Sequence, residues 1–168
     1  NYIFICLKEH IEKFSLDSVL KNLKPDCKII TIDEITDGAA STILKSKELI
    51  NKDEPLIIAN CDQLINWSSS RFIDFINKKD PDGALVTYTS THPRNSFVKT
   101  DNENTIIEIA EKKPISNIAN AGIFYYKSGS DMINAIEKMI EKNIRTNNEF
   151  FLSTAFNEFI LKKQKILS

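Results

Sequence analysis

The chain has 168 residues, 42% hydrophobic and 27% charged, with a formal net charge of -1, a size and apolar content that suit one globular domain with a sizeable core. The near-neutral balance excludes nucleic acid or an anionic membrane surface as the main partner, because both need a basic excess to displace counterions or sit on lipid phosphate. No apolar run approaches the roughly 20 residues that cross a bilayer, and the opening Asn1-Tyr2-Ile3-Phe4-Ile5-Cys6 has neither a basic head nor a small-residue cleavage site, so a cytoplasmic location is expected.

In chain order, short apolar runs alternate with helical patterns through the first half, the rhythm of βαβ units. A strand over residues 2–7 precedes a short helix over 16–23, a strand over 28–32, and Ala40, Ile43, Leu44 and Ile50 at helical spacing. Residues 55–60 form the most apolar strand, read as an interior one. A helix over 69–77 follows, with Phe72, Ile73 and Ile76 on one side and Ser68, Ser69 and Ser70 available as its cap.

After a strand over 83–90 the rhythm changes. Residues 96–100, 105–111 and 120–127 are strand candidates separated only by turns, and Asp101-Asn102-Glu103-Asn104 reads as a hairpin turn. Two amphipathic helices close the chain, one with Ile133, Ile136 and Ile140 on a face, the other with Leu152, Ala155, Phe156, Phe159 and Ile160. The expected fold is α/β, three layers with a mixed, mostly parallel central sheet between helices. Cys6, Cys27 and Cys61 are odd in number and far apart, which suits reduced thiols rather than a disulfide framework.

In such sheets ligands bind beyond the carboxyl ends of parallel strands, which selects Asn60-Cys61-Asp62-Gln63, where the apolar strand runs out into polar residues. A carboxylate held there by a rigid element suits Mg²⁺, which takes one or two carboxylates together with substrate phosphates. The plain alternative is that Asp62 caps the following helix. Trp67 reads as a packing residue sooner than a pocket wall, His10 and His92 fall on expected loops with no role, and Arg94 is an exposed loop residue that needs no function, with phosphate binding near Ser96 as the alternative.

Three stretches in order carry a resemblance: Asp37-Gly38-Ala39-Ala40-Ser41-Thr42, then Asn60-Cys61-Asp62-Gln63, then the run from Glu111-Lys112-Lys113-Pro114 to Asn120-Ala121-Gly122-Ile123-Phe124. Together they resemble the sugar-phosphate nucleotidyltransferase family, which includes nucleotide-sugar pyrophosphorylases and cytidylyltransferases of surface-polysaccharide synthesis. The likeness covers roughly residues 2 to 160.

The resemblance implies transfer of a nucleoside monophosphate from a nucleoside triphosphate to a phosphorylated small-molecule acceptor, with release of pyrophosphate. Under it Asp62 is the Mg²⁺ ligand, and Gly38 and Ala39 lie near the nucleobase. Asn60 and Gln63 flank the metal carboxylate on the substrate side. Glu111 holds polar groups of the acceptor and Lys112 its phosphate, while Gly122 and Ser96 line the acceptor pocket. Read from the residues alone, Glu111-Lys112 is a solvated strand end and Asp37-Gly38 a common turn.

Two departures from the family pattern stand out. The family opens with a strand and a Gly-rich loop that cradles the triphosphate, whereas the four glycines here, Gly38, Gly83, Gly122 and Gly129, form no such loop. The match begins at the family's second strand, so the domain is expected to lack its first strand and phosphate loop. Many members also carry a second metal-binding aspartate, and its place falls near Thr154, with Glu149 the nearest substitute. A glycosyltransferase of similar architecture and a non-catalytic nucleotide-binding relative are the rival readings. The base, the acceptor and the oligomeric state, a homo-oligomer included, stay open.

Overall fold

A computed structural model describes residues 1–50 and 53–168. The chain runs β1 (Ile3–Leu7), α1 (Lys8–Phe14), α2 (Leu16–Leu23), β2 (Lys28–Ile32), α3 (Ala39–Leu44), β3 (Leu56–Ala59), α4 (Ser69–Lys79) and β4 (Gly83–Thr89). It continues through β5 (Ser96–Thr100), β6 (Ile106–Glu111), β7 (Ile118–Tyr126), α5 (Gly129–Glu141), α6 (Leu152–Leu161) and the short β8 (Ile166–Leu167).

Local chemistry explains most boundaries. Ser68 caps α4 by accepting from the Arg71 N–H at 3.4 Å, and Ser128 caps α5 by accepting from Asp131 at 3.3 Å. Asp101 Oδ1 accepts from the N–H groups of Glu103 and Thr105, each at 2.9 Å, and Asn104 takes a left-handed φ of 62°, which closes the β5–β6 hairpin at the expected turn. The pattern over residues 40–50 is not one helix. The Ser46 hydroxyl donates to the Ile43 carbonyl at 2.6 Å, competing with helix continuation, and a 3-10 turn, Lys47–Leu49, follows. His10 is in α1 rather than a loop, its ring tilted against Phe14 with centroids 6.1 Å apart.

The larger sheet has six strands in the order β6-β5-β7-β4-β8, with β3 pairing β7, and β1 and β2 form a separate parallel pair. β3, β4 and β5 all run antiparallel to β7, and β8 runs parallel to β4, so those four strands point one way. The majority direction therefore matches the expected sheet. Because β7 is inserted among these strands, however, the ladders in the larger sheet are antiparallel except for β4–β8. The sequence reading missed this because an antiparallel insertion is decided by where a strand docks rather than by its residues.

β7 also fixes the three-layer arrangement. Its side chains alternate across the sheet: Phe124 and Tyr126 pack with Met132, Ile136, Phe156 and Phe159 of α5 and α6, whereas Ile123 and Tyr125 pack with Phe72 and Ile76 of α4. Phe156 stacks on Tyr126 with centroids 4.5 Å apart and on Phe124 at 6.0 Å.

The strand read as interior is an edge strand among the described residues: β3 pairs only with β7, and Ile57 is 44% exposed. Its apolar composition promised burial on both faces, but composition does not say what lies alongside. No helix of the described residues is long and apolar enough to cross a membrane.

Phe156→Ala removes the ring that joins both aromatic contacts, and an expected loss of about 3–5 kcal/mol is checked by denaturant unfolding; a loss below 1 kcal/mol places the main packing elsewhere.

Candidate active site

The site is built on one irregularity in β7. β4 follows one edge of β7 along its length, with a shift in register between Leu85 and Thr87. On the other edge β3 pairs from Tyr126 to Ile123 and β5 pairs at Ala119. β3 therefore ends where β5 begins, and the two strands meet end to end beside Ala121 and Gly122.

The polar tail of β3 is stitched to this junction. The Asn60 N–H donates to the Gly122 carbonyl at 3.0 Å, Gln63 Nε2 donates to the Ala121 carbonyl at 2.8 Å, and the Gly122 N–H donates to Asn120 Oδ1 at 2.9 Å. Gly122 has a left-handed φ of 73°, and a Cβ there would sit 2.5 Å from Asn60 Nδ2 and 3.1 Å from Gln63 Nε2. The left-handed backbone conformation favours glycine here, and an added Cβ would displace the Asn60 and Gln63 side-chain amides. Asp62 is carried between these two anchored amides and is exposed.

The second carboxylate arrives from the other side of the junction. In the β5–β6 ladder Glu111 lies opposite Ser96, and the Lys112 N–H donates to the Asn95 carbonyl at 2.9 Å. The registers place Asn60 and Gly122 where β3 ends and Ser96, with Glu111 opposite it on β6, where β5 begins. Glu111 Oε2 accepts from Ser96 Oγ at 2.6 Å and from Ser153 Oγ at 2.8 Å. Lys112 takes a left-handed φ of 55°, and its ammonium lies 4.5 Å from the centroid of Phe151, a cation–π contact.

Ser153 and Phe151 were not legible as site residues. They open a stretch that reads as an amphipathic helix, and a serine within such a run carries no distinctive signal. Ser153 is only 3% exposed, and its partner lies 42 residues upstream.

Gly38 and Ala39 stand at the start of α3. Gly38 has φ 117°, and a Cβ there would lie 2.6 Å from the Phe150 carbonyl oxygen. The Phe150 N–H donates to the Asp37 carbonyl at 2.7 Å, and the Ala40 N–H donates to the Phe150 carbonyl at 3.0 Å. Arg145 adds an ion pair to Asp37 at 3.1 Å and covers the Phe150 ring at 3.9 Å. The immediate neighbour of Gly38 is therefore protein backbone, which explains the glycine without a ligand.

Thr154 is buried and its hydroxyl is committed to the Phe151 carbonyl at 2.8 Å, while Glu149 is exposed on a turn closed with Thr146. Among the described residues no group of three or more His, Cys, Asp or Glu side chains is placed to hold a metal by itself. One exposed carboxylate at a strand end still fits a hard cation that arrives with phosphate oxygens and water. Trp67 meets Phe72 edge-on at 5.7 Å and packs on α4. Arg94 donates its N–H to His92 Nδ1 at 3.3 Å within an exposed loop. All three cysteines are free.

Solved structures share this architecture. A nucleoside-diphosphate-sugar pyrophosphorylase from Vibrio cholerae RC9 superposes with a TM-score of 0.79 at 19% identity, covering 98% of this chain and 70% of its own. A UDP-glucose pyrophosphorylase complexed with UDP-glucose superposes with a TM-score of 0.70 at 14% identity, covering 99% and 72%. At these identities the likeness speaks for the fold. No curated protein matches the sequence significantly. The family description "Nucleotidyl transferase" matches residues 1–165, nearly the whole chain and every element of the junction, and the chain therefore belongs to the nucleotidyl transferase family.

Proposed function

We propose that this protein joins a nucleoside monophosphate to a sugar phosphate or a similar phosphorylated metabolite, releasing pyrophosphate and yielding an activated donor for surface-polysaccharide synthesis. What supports this reading is that the end of β3, which leads into Asp62, and the start of β5, where Ser96 bonds Glu111, adjoin the same stretch of β7. An acceptor phosphate oxygen attacks the α-phosphorus in line with the departing pyrophosphate, a reaction in which alignment and charge neutralisation supply most of the rate.

Each residue has a task in this scheme. The Lys112 ammonium leaves the Phe151 ring for the acceptor phosphate and offsets negative charge that grows during attack. Glu111, already held through Oε2, orients hydroxyls of the acceptor. Asn60 and Gln63, anchored on β7, hold Asp62 at the mouth of the gap, and Gly122 keeps the wall free of a side chain. Asp62 is the residue to hold Mg²⁺, which when bound supplies positive charge to the phosphate oxygens. The residue 37–40 turn is assigned to the base side.

The grip on the β- and γ-phosphates is assigned to a glycine-rich loop outside the 168 residues. Supporting this, the chain spans 70% of the Vibrio relative. Calorimetry tests it: full-length protein is expected to bind nucleoside triphosphate at least tenfold more tightly than the 168-residue chain, and equal affinities reject the assignment.

The activity itself is tested by screening the four common nucleoside triphosphates against phosphorylated acceptors for pyrophosphate release. In the active pair Asp62→Ala is expected to lower kcat about a hundredfold or more, and near-normal turnover removes Asp62 from the site. Gly122→Ala, which adds a Cβ where Asn60 and Gln63 close on β7, is expected to cost about 1–2 kcal/mol from the left-handed conformation and to raise the acceptor KM. Unchanged melting temperature and kinetics together refute the close-approach account.

A further inference from the structure

Ser153 is an anomaly in its surroundings. It lies in the first turn of α6 between Leu152 and the buried Thr154, Ala155 and Phe156, and a hydroxyl buried there without a partner is destabilising. Serines in a helix usually satisfy themselves on nearby backbone. Ser153 instead donates to Glu111 Oε2 at 2.8 Å, beside the 2.6 Å bond from Ser96.

We propose that Ser153 is a positioning residue for the phosphorylated acceptor, acting through Glu111. The inference rests on the reading that Glu111 contacts the acceptor. Ser96 reaches Glu111 from the neighbouring strand and Ser153 from a helix packed on the sheet, so the two donors approach one oxygen from different elements. Two such bonds stop the carboxylate from rotating, and both serines are nearly buried, at 8% and 3% exposure. Since both bonds converge on Oε2, Oε1 remains available to accept from an acceptor hydroxyl. The group is thereby held in its binding orientation before the ligand arrives, which reduces the ordering cost at association.

The adjoining residues tie the same segment to the rest of the site. Phe151 carries the Lys112 ammonium on its ring, and Phe150 is bonded to Asp37 and Ala40. A small shift of this entry to α6 thus changes the acidic and basic members of the pair together.

The experiment uses the full-length protein. Its substrates are the most active combination from a panel of four nucleoside triphosphates with glucose 1-phosphate, mannose 1-phosphate, N-acetylglucosamine 1-phosphate and phosphocholine. Ser153→Ala is expected to raise the acceptor KM about tenfold, the effect of losing one hydrogen bond to a charged group, while the nucleotide KM stays within about twofold. In a Glu111→Gln background the same change is expected to add less than about twofold, because its route to the acceptor is already broken. Ser96→Ala, which removes the other donor, is expected to show the same split and serves if Ser153→Ala does not fold.

Equal rises in both KM values, an unchanged acceptor KM, or full multiplication with Glu111→Gln overturns the positioning role. A wild-type protein that releases no pyrophosphate with any member of the panel overturns the nucleotidyl-transfer reading and this inference with it. That outcome is told apart from the others because it is seen before any variant is made.

Discussion

Beside Gly122 the backbone of β7 runs so close to the end of β3 that an added Cβ would lie 2.5 Å from the Asn60 amide. The rest of the site depends on that missing side chain. It lets Asn60 and Gln63 hydrogen-bond and pack against β7, and it allows the left-handed turn of the strand at the point where β3 gives way to β5. The segment bearing Asp62 is tied to β7 by the β3 ladder, by the Asn60 N–H on the Gly122 carbonyl and by Gln63 on the Ala121 carbonyl.

The two sides of the junction are prepared differently. Glu111 is fixed by two nearly buried hydroxyls, so its orientation is part of the folded structure. Asp62 is exposed on a loop whose neighbours, but not its own carboxylate, are tied to the sheet. Lys112 lies between these cases, its ammonium held over the Phe151 ring.

Beneath the junction the core supplies the stiffness. Alternate side chains of β7 enter two separate clusters, one with α5 and α6 and one with α4, so the strand carrying Gly122 is gripped from both faces. The Phe124, Tyr126 and Phe156 rings are stacked within the first cluster. Gly83 belongs to the same fit, since a Cβ there would lie 2.6 Å from the Phe156 ring. Displacing β7 would mean repacking both layers, which is why an irregularity at its middle is a stable place to build a site.

Local signals in the sequence determined the element types, because periodicity, caps and turn residues act over a few positions. The strand at residues 28–32, the Ser68 cap, the Asp101 turn and the two closing helices all follow from nearest neighbours. The family resemblance, resting on Asp62, Glu111-Lys112 and Gly122 in order, likewise pointed to the family to which the chain belongs. Tertiary structure alone decided that β7 inserts antiparallel among strands of one direction, that β3 pairs only with β7 among the described residues, and that Gly38 lies against Phe150. It alone also joined Ser153 to Glu111. Those facts depend on which surfaces meet after the chain has closed, and hydrogen bonds between residues dozens of positions apart leave no period or spacing to read.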